Sequence, residues 1–257
     1  MRRLEVEFKE RQLACFGYTT SFNAYLDYLD DGLFEMLDCR REHYGSFLDG
    51  ICGDAFRVFY SKTNRMDGTF CYPFNPLRTC AQALGYDYEY IYGDEEEAAI
   101  AKLKEYIGGG KPVITPLILP PPEWGLAVGY DQDRFYLHTF AGSKTYLADK
   151  FRESFSSSWW QPTLDADRPK APHPMFVLGN RRPRKDLCLM IIEALKRGVE
   201  LMKTETFSWG GGEYYGGFRA LEERGRDLGE DRDYDGLEDD SMFNWSFYPF
   251  LYYQLSR

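Results

Sequence analysis

The chain has 257 residues, of which 31 are Lys or Arg and 41 are Asp or Glu, so its formal charge is −10 and its pI is near 4.9. A chain of this length can bury a full core as one large domain or as one domain with an extension. The negative charge argues against a protein that binds nucleic acid, because affinity for the phosphate backbone comes from Lys and Arg. Aromatic residues make up 17% of the sequence, which favours aromatic-lined surfaces or pockets.

Neither the apolar stretches nor the cysteines indicate a membrane protein or a metalloprotein. The most apolar segments, Val113–Leu119 and Leu187–Ile192, are far shorter than the roughly 20 residues that a membrane-spanning helix needs. The first ten residues alternate charged and apolar side chains, unlike a signal peptide. The six cysteines form no Cys-x-x-Cys pair. We therefore expect a cytoplasmic protein with reduced thiols and no metal or other cofactor.

In chain order, two helices and a strand are predicted in the first half. Apolar residues recur at helical spacing over Thr19–Leu29, with a hydroxyl at the start as cap. Asp94 and Glu97 resemble a capping box for a second helix, which ends before Gly108-Gly-Gly110. The strand-forming run Pro112–Leu119 follows, and Pro116 within it favours an edge strand or a bulge.

The second half begins with strands and continues with helices. Leu126–Tyr130 and Phe135–His138 are predicted to form a hairpin, and a short helix and the strand Met175–Leu178 follow. Asp186 is expected to cap a helix over Leu187–Met202, and Tyr214–Leu228 is predicted as another helix. Gly210-Gly-Gly212 and Gly216-Gly217, which have aromatic residues around them, are interpreted as a flexible turn and close helix packing.

This order of elements predicts an α+β protein. We expect an α+β domain over residues 1–180, with an antiparallel sheet and an N-terminal helix, and a helical C-terminal extension over residues 181–257.

Three stretches, together with the Cys15 segment upstream, resemble a known family. They are Gly53-Asp-Ala-Phe-Arg57, Gly110-Lys-Pro-Val-Ile114 and Glu123-Trp-Gly-Leu-Ala-Val-Gly-Tyr-Asp131. In this order they resemble the papain-like domains related to bacteriocin-processing peptidases. The resemblance is closer to the N-terminal domain of the butirosin-biosynthesis acyltransferase and its relatives, and it covers roughly residues 10–180. It implies a bacterial or archaeal papain-like fold with a cysteine nucleophile.

A papain-like catalyst needs a cysteine at a helix N-terminus, a His on a strand, and a polar residue on the next strand to orient that His. Cys15 precedes the first predicted helix. Where the family has its His, five or six residues before the Gly of Gly-Tyr-Asp, this chain has Trp124 and Glu123, while His138 lies near the position of the orienting residue. A cysteine without an imidazole neighbour is mostly a neutral thiol at pH 7. The triad is therefore predicted to be degenerate.

Three interpretations remain open. In the first, His138 approaches Cys15 from the orienting position and Glu123 serves as its carboxylate; the alternative is that His138 is a structural residue. In the second, Glu123 itself works as an acid or base, because apolar surroundings beside Trp124 would raise its pKa. The alternative is that Glu123 is a solvated residue after the turn Pro120-Pro-Pro122. In the third, the cleft has lost catalysis and binds a small molecule or peptide.

The first hypothesis is thus a degenerate papain-like domain with a ligand-binding cleft that includes Trp124, Tyr130 and Asp131. Taken singly, the aromatic side chains are better explained by a core position, and Asp131 is most simply explained as a cap of the hairpin turn. The second hypothesis is an acyltransferase or amide hydrolase that depends on Cys15. The third is an interaction module whose aromatic segment Phe243–Tyr253 docks a partner or a second copy, forming a homodimer.

One acidic segment resembles the first half of a calcium-binding loop. Asp231, Asp233 and Asp235 alternate before Gly236, but Met242 stands where such a loop has its bidentate Glu. We favour a solvated acidic loop between helices over a calcium site.

Overall fold

The computed structural model describes residues 2–8, 17–37, 44–63, 74–117, 123–132, 134–139, 142–147, 151, 174–209 and 211–229. The chain forms two compact units. One comprises Met1–Ala55 and Phe74–Ala194, and the other comprises Phe56–Pro73 and Leu195–Arg257.

In the described part of the first unit, seven strands form one antiparallel sheet in the order β3-β8-β4-β5-β6-β7, with β1 pairing alongside β5. The strands are β1 (Arg2–Arg3), β3 (Tyr86–Ile91), β4 (Val113–Leu117), β5 (Glu123–Tyr130), β6 (Arg134–Thr139), β7 (Gly142–Leu147) and β8 (Met175–Arg181). Strand β2 (Phe59–Ser61) belongs to the other unit.

Helices lie on both faces of this sheet. The helices of the first unit include α1 (Gly17–Tyr28), α2 (Leu33–Leu37), α3 (Tyr44–Cys52), α4 (Pro76–Leu84) and α5 (Glu96–Gly108), and α1 and α5 are the two that show this. Trp124 on β5 contacts Tyr18 of α1, whereas Lys104 of α5 lies 5.7 Å from the ring centroids of Tyr130 and Phe135. Tyr130 and Phe135 are paired residues whose side chains share the other face. The core is therefore built in layers above and below β4, β5 and β6.

The proline in the run Pro112–Leu119 predicted an edge strand or a bulge, but Pro116 lies in an interior strand. Strand β4 is interior, because it pairs with β5 along its whole length and with β8 at Ile114 and Phe176. Continuing that register with β8 would bring Pro116 opposite Pro174, and neither proline has an N–H to donate. The proline is tolerated at the point where this ladder ends.

The predicted hairpin and the strand after it are confirmed. Strands β5 and β6 pair through Leu126 and His138 and through Tyr130 and Phe135, and the backbone N–H of Asp131 donates to the carbonyl of Arg134 over 3.0 Å. Strand β8 begins at Met175 as predicted and extends to Arg181.

Two predicted helix starts differ from the structure. Helix α1 begins at Gly17, so the hydroxyl residues proposed as caps, Thr19, Thr20 and Ser21, lie inside the helix and are buried. The N-cap of α5 is Glu95 rather than Asp94, and its side chain makes no capping hydrogen bond. Helix ends are the least certain part of a sequence pattern, because several neighbouring polar residues can serve as cap.

The second unit contains an unexpected sheet. Strands β9 (Thr206–Trp209) and β10 (Gly212–Gly216) form a hairpin, and β10 also pairs with β2 (Phe59–Ser61). The helices here are α6 (Leu187–Lys203), which crosses the boundary between the units, and α7 (Gly217–Gly229). The prediction of a helix from Tyr214 was therefore wrong over its first residues, which form β10. Residues 181–257 are not helical throughout.

The cap predicted for α6 is confirmed. The Asp186 carboxylate accepts hydrogen bonds from the backbone N–H groups of Cys188 and Leu189, at 2.9 and 3.3 Å. The close packing predicted at Gly216-Gly217 is also present, because a Cβ on Gly217 would lie 2.1 Å from the carbonyl oxygen of Met202.

The structure confirms a mixed α+β fold with antiparallel sheets. None of the helices in the described ranges is both long and apolar enough to cross a membrane.

Candidate functional site

Helix α1 is the central helix of the first unit and is buried around its whole circumference. Every residue from Tyr18 to Leu26 is buried, although a surface helix would have one polar face. Two of its buried hydroxyl side chains make hydrogen bonds within the interior. Thr19 Oγ1 donates to Asp49 Oδ1 over 2.7 Å, and Ser21 Oγ donates to the carbonyl of Gly17 over 2.9 Å. The helix is therefore held in one orientation, with its N-terminus in a fixed place.

That N-terminus lies against the beginning of strand β5. A Cβ on Gly17 would lie 3.3 Å from the backbone nitrogen of Trp124 and 3.4 Å from its Cβ, so the absence of a side chain at Gly17 allows a close approach. Trp124 is 6% exposed, and its ring makes an edge contact with Tyr18 at 5.9 Å. The first residue of α1 and the second residue of β5 are thus in contact.

His138 lies on the same face of the sheet as Trp124. It is paired with Leu126, so the two side chains share a face, and Trp124 is two residues before Leu126 on β5. His138 Nδ1 is 2.7 Å from the carbonyl oxygen of Val6, and Nε2 is 3.2 Å from Nη2 of Arg3. A carbonyl only accepts and a guanidinium only donates, so Nδ1 carries the proton and Nε2 accepts.

The surroundings of His138 favour this neutral imidazole. Burial lowers the pKa of His138 below its ordinary value, and the positive charge of Arg3 lowers it further, while the hydrogen bond to Val6 opposes the shift. Both ring nitrogens are occupied by the N-terminal segment, so a proton transfer by His138 would require Arg3 or Val6 to leave first.

The three residues predicted to bind a ligand are not brought together. Trp124 and Tyr130 stand six residues apart on β5, about 20 Å along a strand, and the register assigns them to opposite faces. Burial confirms the core interpretation of Trp124. Asp131 stabilises the hairpin, because its carboxylate accepts a hydrogen bond from the Tyr136 hydroxyl over 2.7 Å. That bond raises the pKa of Tyr136.

Several predicted residues lie outside the described ranges. Cys15, the acidic segment with Asp231, Asp233 and Asp235, and the aromatic segment Phe243–Tyr253 belong to this group. Glu123 is described only as the first backbone position of β5.

A buried polar cluster beneath α1 was missed by the sequence analysis. Asp49 and Asp54 are at most 1% exposed, and the thiols of Cys52 and Cys80 are fully buried close to them. Burial, the hydrogen bond with Cys52 and then the charges of the two carboxylates raise the pKa of the Cys80 thiol well above its ordinary value. The raised pKa favours the neutral thiol form of Cys80. Only the motif Gly53-Asp-Ala-Phe-Arg57 drew attention to this part of the sequence.

A further buried carboxylate, at a separate place, was also missed. Asp31 accepts a hydrogen bond from the Tyr86 hydroxyl over 2.6 Å and forms ion pairs with Arg184 and, at 3.5 Å, with Arg181. Burial and then the bond to Asp31 raise the pKa of Tyr86. The three partners lie between 55 and 153 residues away along the chain, so no local pattern identifies the site.

Comparisons with protein families, with curated proteins and with solved structures found no match to this chain. Within the described ranges, no group of three or more His, Cys, Asp or Glu side chains is arranged to hold a metal ion.

Proposed function

We propose that the first unit is a papain-like domain that binds a small molecule or a peptide at the N-terminus of α1, without Cys–His catalysis. The contact between Gly17 and Trp124 carries this proposal. A papain-like enzyme holds the N-terminus of its central helix against the strand that bears the catalytic His. On this proposal the corresponding strand is β5, whose first two residues, Glu123 and Trp124, would stand near the position of the His.

The state of His138 supports binding rather than catalysis. It is the one His of the described ranges, and it shares a sheet face with Trp124. Its two nitrogens are engaged by Val6 and Arg3, and its pKa is lowered, so it is a poor proton acceptor for a thiol. Without an imidazole that accepts its proton, Cys15 would have an ordinary thiol pKa.

Thiol reactivity tests the catalytic side of this proposal. Short iodoacetamide exposure at pH 6 and at pH 8.5, read by mass spectrometry, compares Cys15 with Cys188, which is exposed, and with Cys52 and Cys80, which are buried. We expect Cys15 to label at pH 6 no faster than Cys188. Selective fast labelling of Cys15 at pH 6, slowed by Glu123→Gln or His138→Asn, would instead favour the acyltransferase or amide hydrolase.

Ligand screening tests the binding side. Thermal denaturation is measured with a panel of acylated amino acids, amines and short peptides, and each compound that raises Tm is then tested for protection of Cys15 from iodoacetamide at pH 8.5. We expect a protecting compound that stabilises the wild type and Cys15→Ser equally. A compound that stabilises the protein but leaves Cys15 unprotected binds elsewhere and contradicts the proposed location.

We also propose that the protein works in the cytoplasm. Cys52 and Cys80 are free, although their thiols are close enough to hydrogen bond. A reducing compartment keeps such a pair as thiols. Thiol counting on protein purified with and without reductant tests this, and a disulfide between these two cysteines in freshly purified protein would oppose it.

A further inference from the structure

Helix α6 has an apolar face that is exposed. Leu189, Ile191, Ile192, Leu195 and Val199 are between 42% and 56% exposed, whereas Met190 and Ala194 are 1% and 7% exposed. Exposed apolar residues scattered singly are common, but five on one 17-residue helix form a continuous patch. Such a patch marks an interaction surface.

The spacing along this face is that of a helix-pairing seam. Cys188, Ile192, Leu195, Val199 and Met202 follow one another at intervals of four, three, four and three residues. This is the alternation that keeps one row of side chains directed at a partner helix along its whole length. The expected occupant is therefore another helix lying along α6.

A row of charges lies beside this seam. Glu193, Lys196, Glu200 and Lys203 each follow a seam residue directly, so they lie along one flank of it. From the N-terminus the row reads negative, positive, negative, positive. A copy of the same row running in the opposite direction reads positive, negative, positive, negative. The row is therefore complementary to itself in an antiparallel arrangement.

We propose that a second copy of this chain covers this face, with the two α6 helices antiparallel about a two-fold axis. In one register Glu193 faces the partner's Lys203 and Lys196 faces the partner's Glu200. Both pairs are centred on residue 198, so a single register satisfies them, and the two-fold axis repeats each pair. The apolar seam supplies the association and the charges fix its direction.

The charges of this row can also form ion pairs within one chain, which is a simpler explanation of their pattern. Lys185 Nζ lies 2.8 Å from Glu193 Oε2, and residues three or four apart on a helix can pair with one another. Contacts within one chain stabilise the helix but cannot depend on a second molecule. A test that mixes two different chains separates the two uses.

The first measurement is the mass in solution, by sedimentation equilibrium from about 1 to about 100 µM. One helix seam is smaller than a standard interface, so we expect a dimer with a dissociation constant in the micromolar range. A wild-type protein that remains monomeric at about 100 µM would overturn the proposal.

The decisive measurement uses two double variants. Lys196→Glu with Lys203→Glu makes the row wholly negative, and Glu193→Lys with Glu200→Lys makes it wholly positive. Each alone is expected to dimerise about tenfold more weakly or worse, because every ion pair becomes a repulsion. An equimolar mixture is expected to form a heterodimer of about wild-type strength. A mixture that associates no better than its components contradicts the proposal, as does undiminished self-association of either variant.

The apolar seam has a matched control. Leu195 is 56% exposed on α6 and Leu221 is 50% exposed on α7. Leu195→Ser is expected to weaken dimerisation about tenfold or more, whereas Leu221→Ser should leave it unchanged, and circular dichroism checks that both variants are folded. If Leu221→Ser weakened dimerisation and Leu195→Ser did not, the interface would lie on α7 and the pairing through α6 would be refuted.

Discussion

His138 Nδ1 and the carbonyl oxygen of Val6 lie 2.7 Å apart, and this bond joins strand β6 to the segment that follows β1. The guanidinium of Arg3, the last residue of β1, approaches Nε2 and also lies 5.4 Å from the ring centroid of Tyr136. Because Nδ1 must donate to Val6 and Nε2 must accept from Arg3, only the neutral imidazole can make both contacts at once.

Folding stability should therefore depend on the protonation of His138. Its folded-state pKa is below the ordinary value of 6.5, so the unfolded chain binds the proton more readily. The stabilisation is complete above about pH 6.5 and is lost as the pH falls through the folded-state pKa. Urea denaturation as a function of pH should show this fall in the wild type and a smaller fall in His138→Asn, which keeps a donor for Val6. Equal falls would contradict the assignment.

The pKa of His138 should rise when Arg3 is replaced. Arg3→Gln removes the positive charge that disfavours the imidazolium, so the titration of the His138 Cε1 proton, followed by NMR, should move up towards its ordinary value. Arg134→Gln removes a charge from the same strand as His138 and is the matched control. A pKa unchanged by Arg3→Gln would mean that the two side chains are not in contact in solution.

Asp31 should be among the most costly carboxylates to neutralise. Asp31→Asn leaves the Arg184 guanidinium, which is 11% exposed, without its negative partner, and we expect a loss of about 3 kcal/mol in the free energy of unfolding. Arg182→Gln breaks the 2.7 Å pair with Asp87, where both side chains are exposed, and should cost less than about 1 kcal/mol. Chemical denaturation measures both. Similar losses of unfolding free energy in the two variants would show that burial does not determine how much these ion pairs contribute to stability.

Replacing two glycines of α7 by alanine, one at a time, should change the free energy of unfolding in opposite directions. Gly217 has φ +50° and lies against Met202, so Gly217→Ala introduces both backbone strain and a clash, and should cost more than about 2 kcal/mol. Gly225 has open space around its Cβ position, and Gly225→Ala should stabilise the helix by about 0.5 to 1 kcal/mol. Urea denaturation of the two variants and the wild type gives the order. A neutral Gly217→Ala would mean that α7 does not abut α6 at Met202.

The cysteines of the described ranges should react in the order of their burial. Cys188 is exposed at the start of α6, while Cys52 and Cys80 are buried and the pKa of Cys80 is raised. With the protein dilute enough to be monomeric, iodoacetamide at pH 8.5 is expected to modify Cys188 within minutes, and the other two only in denaturant. Reaction of Cys52 in the folded protein at the rate of Cys188 would show that α3 opens locally.

Local patterns in the sequence predicted the elements whose causes are local. The hairpin of β5 and β6, the cap at Asp186 and the body of α5 each follow from residues within a few positions of one another. The strand β10 was missed because its glycines and tyrosines suit a turn or a helix start as well as a strand. What makes it a strand is pairing with Phe59–Ser61, about 150 residues earlier in the chain.

The sequence by itself determined that this is an α+β protein and that Leu126–Tyr130 and Phe135–His138 form an antiparallel hairpin. These follow from residue identity and from periodicity over a few residues. Only the tertiary structure decided that Pro116 lies in an interior strand, that His138 is held neutral by Arg3 and Val6, and that Asp31 is buried against Arg184. Each of these depends on which distant segment packs alongside, and burial and pairing energies between distant segments leave no local pattern in the chain.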